Sequence, residues 1–127
     1  MRAMIALAAG LAALMAATGP GFATDMPAGI ATGSTAIGDV FVDDKGMTLY
    51  TFDEDTSGSS ACYGKCAENW PPLAAAGSAV GDFTVIARDD GKKQWAYKGQ
   101  PLYLWVRDKA PGDTTGDGVR GWHAARP

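Results

Sequence analysis

Gly46-Met47-Thr48-Leu49-Tyr50-Thr51-Phe52-Asp53-Glu54-Asp55 aligns without a gap to Gly99-Gln100-Pro101-Leu102-Tyr103-Leu104-Trp105-Val106-Arg107-Asp108. The shared pattern is Gly-x-x-Leu-Tyr-x-aromatic-x-x-Asp at an offset of 53 residues, and each copy runs on to a tryptophan, Trp70 and Trp122. Self-similarity of this kind marks a duplicated structural unit. In an extended chain, successive side chains point to opposite faces. Tyr50 and Phe52 therefore share one face and Leu49 takes the other. Tyr103 and Trp105 repeat the arrangement, with Leu102, Leu104 and Val106 opposite. Trp95 and Tyr97 also share a face.

Working outward, short β-type runs alternate with turn signals. Asp39 to Val42 is closed by Asp43-Asp44-Lys45-Gly46 and returns as Met47 to Phe52, one hairpin. Phe83 to Arg88 and Gln94 to Tyr97 flank Asp89-Asp90-Gly91-Lys92-Lys93, a second hairpin. Lys98-Gly99-Gln100-Pro101 turns into Leu102 to Val106, and a last strand surrounds Trp122. Only Ser60 to Asn69 has room for a helical turn or two, which Trp70-Pro71-Pro72 ends. No apolar pattern of helical period is long enough for a major helix. The fold class expected is all-β: a small single antiparallel β domain built from two related halves, with at most a short helical turn near the Cys-x3-Cys segment. The halves are expected over about 37–73 and 83–127, with 24–36 as a flexible leader.

The chain of 127 residues suits one domain. Its 11 Lys and Arg against 14 Asp and Glu give a net charge of −3, which leaves no basic stripe for nucleic acid. Arg2, the uncharged apolar or small stretch from Ala3 to Ala17, and Gly21-Phe22-Ala23 read as a secretory signal peptide over 1–23. The run is shorter than the ~20 residues that a membrane span needs, so no span is expected after processing. The chain left after Ala23 has 104 residues and, with Arg2 gone, a net charge of −4. Its expected location is the periplasm or the exterior, where Cys62 and Cys66 pair by default as a disulfide. The loop they close is so short that the bond is worth only ~2 kcal/mol in loop entropy and pins a local bend in a distorted turn.

The set of motifs resembles a bacterial family of secreted proteins and predicted lipoproteins with a repeated Tyr-x-(Phe/Trp/Tyr)-x-x-Asp motif, described as secreted repeats of unknown function. The residues that carry the resemblance are Leu49-Tyr50-Thr51-Phe52 with Asp55, Cys62-Tyr63-Gly64-Lys65-Cys66-Ala67, and Trp70-Pro71-Pro72-Leu73. Gln94-Trp95-Ala96-Tyr97, Gly99-Gln100-Pro101-Leu102-Tyr103 with Trp105 and Asp108, Gly112-Asp113 and Trp122 complete it. It runs from about Ile37 to the end. No cysteine stands near the cleavage site, so the lipid anchor of many relatives does not carry over. The resemblance implies no particular activity.

The candidate motif residues are Tyr50, Phe52, Asp55, Tyr103, Trp105 and Asp108. Asp55 and Asp108 stand where each strand ends, and two readings are open. Either carboxylate closes a turn by accepting backbone N–H groups, or each pairs with Tyr50 or Tyr103 in a polar pocket. Trp70, Trp95, Tyr97 and Trp122, with the motif aromatics, either fill the core or leave an exposed patch that marks a binding surface. His123 is the one histidine, and no nucleophile elbow, phosphate loop or His-Glu-x-x-His accompanies it. Gly112-Asp113-Thr114-Thr115-Gly116-Asp117-Gly118 lacks the spacing of a calcium loop. No metal or cofactor is assigned. The expected function is a non-catalytic exported binding or interaction module for an unknown envelope component or small ligand. The alternative is a redox or copper-handling protein using Cys62, Cys66 and His123.

Overall fold

The structure, a computed structural model, describes residues 25–127. The signal peptide expected over 1–23 lies outside these residues. Seven short strands and one helical turn follow in the order β1 (Ile30–Thr35), β2 (Gly38–Asp43), β3 (Tyr50–Phe52), α1 (Lys65–Asn69), β4 (Phe83–Ala87), β5 (Lys93–Tyr97), β6 (Gln100–Pro101) and β7 (Trp122–Ala124). All the pairings are antiparallel: β1 with β2, β3 with β7, and β4-β5-β6 in a three-stranded sheet.

The expected second hairpin is β4–β5, with Phe83 opposite Tyr97 and Ala87 opposite Lys93. The first hairpin is present as a turn held by Asp43, whose Oδ1 accepts the N–H groups of Lys45 and Met47 at 2.9 Å each. It continues only as a bridge between Val42 and Thr48, because farther along that edge Phe41 N–H goes to Ala125 O; the opposite edge of β2 pairs with β1. That pairing corrects the flexible leader: residues 30–35 are a six-residue strand in register with β2, from Ile30 opposite Asp43 to Thr35 opposite Gly38. Ile30 is the only large apolar side chain of the strand, and it is buried. The other residues are small or hydroxylic, which hid the strand from a hydrophobicity reading. Gly33 permits the approach, since a β-carbon there would lie 2.9 Å from Val42 Cγ1. The strand expected over Leu102 to Val106 is also not continuous. Tyr103 alone bridges, to Tyr50 on one side and Pro72 on the other.

The face assignment holds for both motifs except at Val106, which was expected beside Leu102 and Leu104 and is instead 42% exposed past the end of the extended stretch. Leu49, Leu73 and Leu102 pack with Ile30, Phe41, Phe83 and Trp95 in one core cluster, against which Leu104 and Tyr97 lean. Tyr50, Tyr103, Trp70 and Trp122 form a second cluster with Val40, Val42 and Cys62, against which Phe52 and Trp105 lean. A pseudo-two-fold axis runs between the two tyrosines, which exchange both backbone bonds, Tyr50 N–H to Tyr103 O at 2.9 Å and Tyr103 N–H to Tyr50 O at 3.0 Å.

The halves are interlaced. Leu49 N–H donates to Phe41 O within the first half, as Leu102 N–H does to Trp95 O within the second, both at 2.9 Å. The strand that completes each layer comes from the other half. Ala125 donates to Leu49 O at 2.8 Å and accepts from Phe41 N–H at 2.9 Å. Leu73 donates to Leu102 O at 2.9 Å and accepts from Trp95 N–H at 3.0 Å.

Candidate functional site

The aromatic face closes on itself as a column of four rings. Phe52 stacks on Trp122 (4.2 Å between centroids), Trp122 on Trp70 (3.8 Å, interplanar angle 1°), and Trp70 on Trp105 (3.9 Å). Tyr50 meets Trp70 edge-on, and Tyr103 meets Trp122 the same way. Each such pair adds roughly 0.5–1.5 kcal/mol beyond its buried area. Trp70, Trp95 and Trp122 are 4–5% exposed. The sequence reading that left them free for a binding surface is thus corrected for these three, because the interlaced closing strands carry Trp70 and Trp122 between the halves. Tyr97 is half-buried against Phe41 and Phe83. Only the two ends of the column, Phe52 and Trp105, are half-exposed.

Both tyrosine hydroxyls find a carboxylate, and the pairing crosses the axis. Tyr50 Oη donates to Asp108 Oδ2 at 2.6 Å, and Tyr103 Oη donates to Asp55 Oδ2 at 2.7 Å. Both readings of the aspartates are therefore realised together, since each also accepts backbone donors. Asp108 Oδ1 takes Thr115 N–H (3.0 Å) and Thr115 Oγ1–H (2.7 Å), and Asp55 Oδ1 takes Ala61 N–H (2.7 Å). Burial, and then the bonded carboxylate, pushes both phenols above their ordinary value. They are fixed donors, not acids at neutral pH.

The second acceptor position of each phenol differs. Gly116 N–H donates to Tyr50 Oη at 3.2 Å. Glycine is required there, since a β-carbon would come within 2.8 Å of Trp70 and 2.9 Å of Tyr50. At Tyr103 the partner is Ser60 Oγ, 2.6 Å away. Ser60 Oγ accepts from Cys62 N–H and Arg88 Nη1, both at 3.1 Å, so its own proton points to Tyr103. Arg88, whose side chain is fully buried, also donates to Gln94 Oε1, Cys62 O and Asp90 Oδ2 at 2.8–3.1 Å and lies 4.5 Å from the Tyr63 ring centroid. A buried guanidinium is tolerated only with such a complete set of acceptors. The Lys92 backbone N–H, and after it Arg88, holds the Asp90 carboxyl below its ordinary value. Sequence reasoning missed Arg88 and Gln94, which look like ordinary strand-end polar residues.

Cys62 and Cys66 form a disulfide with 5.3 Å between α-carbons. The distorted turn expected there is present. Cys62 stands before α1, and Gly64, at the helix start, has φ +58°. His123 is exposed, with Nε2 at 2.9 Å from Asp53 Oδ2. Both sulfurs are spent on each other and the imidazole is engaged with Asp53, so the copper and redox alternative has no support. In the Gly-rich loop, Asp113 Oδ2 accepts the N–H groups of Lys109 and Ala110, and Asp117 Oδ1 accepts Ala124 N–H. Those carboxylates close turns. Among the described residues no helix is long and apolar enough to cross a membrane.

The two poles of the pseudo-two-fold differ in access. Asp108 is 7% exposed. Its carboxylate is held between Tyr50 Oη and Thr115, and Gly116 N–H closes on the same phenol. Asp55 is half-exposed and faces a cleft of about 280 Å³ lined by Phe52, Asp53, Ser57, Lys98 and Gln100 among others. Burial pushes the Asp55 carboxyl up, and this outweighs its bonds from Tyr103 and Ala61. Lys98 has φ +49° and Gly99 φ +84° in the two-residue turn that joins Tyr97 to Gln100. Such a turn favours Asn-Gly, and a lysine in this region costs roughly 1–2 kcal/mol. Lys98 is the only non-glycine residue at positive φ among those described. The signal for this cleft in the sequence was the Lys98-Gly99 pair, read simply as a turn.

The family model described as a secreted repeat of unknown function matches residues 31–74 and 84–126, one match to each half and more than half of the chain. No curated protein and no solved structure matches the chain. The chain therefore belongs to the Lipoprotein_15 family, the secreted repeats of unknown function.

Proposed function

We propose that this protein is an exported, non-catalytic binding module and that its contact is the cleft at Asp55. One observation carries the reading: of two duplicated Tyr–Asp units, one is sealed at Asp108 and the other opens beside a half-exposed aromatic ring. A concave site with an aromatic wall, a few convergent polar groups and a carboxyl of raised pKa is the default binding-site arrangement. The non-catalytic part is supported by the phenols, which burial holds protonated, and by His123, which lies exposed on Asp53. Cleavage after Ala23 and a periplasmic or extracellular home, with an envelope component or a small solute as partner, fit the basic-then-apolar start of the chain.

Trp122 stacks on Phe52 and reports on the cleft. The test titrates the protein with a panel of free amino acids, monosaccharides and inorganic anions while tryptophan emission is followed. At least one class is expected to shift the emission, and the response is expected to vanish in Phe52→Ala. Silence from the whole panel, or a response that survives in Phe52→Ala, would overturn the assignment of this cleft.

A further inference from the structure

The Asp55 wall of the cleft hangs from three consecutive residues that end at a disulfide. Asp55 Oδ1 accepts Ala61 N–H and Asp55 Oδ2 accepts Tyr103 Oη–H, both at 2.7 Å. Ser60 Oγ lies 2.6 Å from Tyr103 Oη and accepts Cys62 N–H at 3.1 Å. Residues 60, 61 and 62 thus set the partners of both carboxylate oxygens, and Cys62 is bridged to Cys66 on α1. Between Asp55 and Ser60 the chain is exposed, and among the described residues its one hydrogen bond to another element is Gly58 N–H to Gly99 O. Arg88 grips the same stretch from the other side, through Ser60 Oγ and Cys62 O. The duplicated pole is built differently. Asp108 and Tyr50 take their backbone donors from Thr115 and Gly116, Gly116 is buried between Trp70 and Tyr50, and that loop has no cysteine. Core packing fixes the Asp108 pole, and a covalent bridge helps to fix the Asp55 pole.

We propose that the Cys62–Cys66 bridge is a switch for this wall: reduction by a dithiol uncouples residues 60–62 from α1 and releases the Asp55 carboxylate, while the fold and the Asp108 pole stay as they are. That the switch governs binding rests on the reading of the cleft as the binding site. The two sulfurs differ in access, since Cys62 is fully buried and Cys66 only half-buried. One thiolate of the reductant attacks the Cys66 sulfur, the S–S bond breaks and Cys62 leaves as thiolate. The second thiol of the reductant then displaces the first from Cys66. The reductant departs as a disulfide, and its two electrons and two protons end on the two cysteine thiols. The loop that the bridge closes is short, so opening it frees little chain entropy and leaves the interlaced core in place.

The test compares the intact exported protein, oxidised and after reduction with dithiothreitol at neutral pH, and needs neither a variant nor a ligand. Amide hydrogen exchange and the side-chain carboxyl-carbon signals are read in both forms. Reduction is expected to speed exchange at the Ala61 amide about tenfold, the loss of one hydrogen bond to a charged acceptor, and to move the Asp55 carboxyl signal. The Thr115 amide and the Asp108 carboxyl, their counterparts at the other pole, should not change. An unchanged Ala61 and Asp55 in protein with two titratable thiols would overturn the switch and leave the cleft as the candidate site. Equal acceleration at Ala61 and Thr115 would overturn it too, because the bridge would then hold the whole fold and not one wall. A bridge that dithiothreitol leaves intact in the folded protein would overturn it as well.

Discussion

Tyr50 and Tyr103 are fully buried, and each hydroxyl donates to a carboxylate of the opposite half. Removing the hydroxyl leaves a carboxylate short of one charge-assisted donor, so Tyr50→Phe and Tyr103→Phe should each destabilise by about 1.5–3 kcal/mol. The aspartates should not behave alike. Asp108 satisfies three donors and is 7% exposed, so Asp108→Ala orphans the buried Tyr50 Oη and releases two bonds from Thr115, which is itself exposed. A loss of about 2–3 kcal/mol is expected. Asp55 satisfies two donors, is half-exposed, and has burial working against its charged form. Asp55→Ala should lose only about 1 kcal/mol. Midpoints of denaturant unfolding at unchanged slope give the four values. Equal losses at the two aspartates would show that the poles are equally accessible. The tyrosine–aspartate chemistry was legible from the repeated spacing. The crossing was not, because nothing local to Tyr50 points to Asp108, 58 residues away.

At the scale of elements, the turn chemistry and the period-2 faces were readable wherever large apolar residues alternated, as in β4 and β5. They failed at β1, whose residues Ala31 to Thr35 carry almost no apolar signal. At Leu102 to Val106 the faces of Leu102 to Trp105 were readable but the continuous strand was not, since the chain bridges two neighbours through Tyr103 alone. The disulfide element was readable because Cys62 and Cys66 stand four apart ahead of Trp70-Pro71. Its connection to the core was not. Cys62 O accepts Arg88 Nη2 at 2.8 Å, and Cys62 N–H donates to Ser60 Oγ, so the bend that the bridge pins also holds the buried guanidinium. The double change of Cys62 and Cys66 to Ala should therefore cost more than the ~2 kcal/mol of loop entropy, by part of the Arg88 network. In an Arg88→Met background the same double change should fall back toward ~2 kcal/mol, a coupling that a double-mutant cycle reads directly. An identical loss in both backgrounds would separate the bridge from Arg88.

The interlacing of the halves governs the whole molecule. Trp70 and Trp122, one from each half, stack at 3.8 Å on the pseudo-axis, and each half's layer is completed by the other's closing strand, through Leu73 or Ala125. A repeat taken alone would expose one face of its tryptophan and leave an open strand edge and one tyrosine hydroxyl without its carboxylate. Neither half has enough core left to offset the entropy of ordering its chain. The connection over 76–82 is exposed for most of its length, includes Gly77 and Gly81 at positive φ, and contributes no side chain to either core cluster, so cutting it leaves both clusters' residues in the fragments. Fragments 25–76 and 83–127 should each lack a cooperative thermal transition at micromolar concentration. Mixed in equal amounts, they should regain one, together with the near-ultraviolet dichroism of the stacked tryptophans. A homodimer of either fragment, with two identical closing strands exchanged about a true two-fold, would obey the same logic and would appear as a transition that rises with concentration. Cooperative unfolding of fragment 25–76 as a monomer, independent of concentration, would show that one repeat is a sufficient folding unit and would contradict the interlaced account.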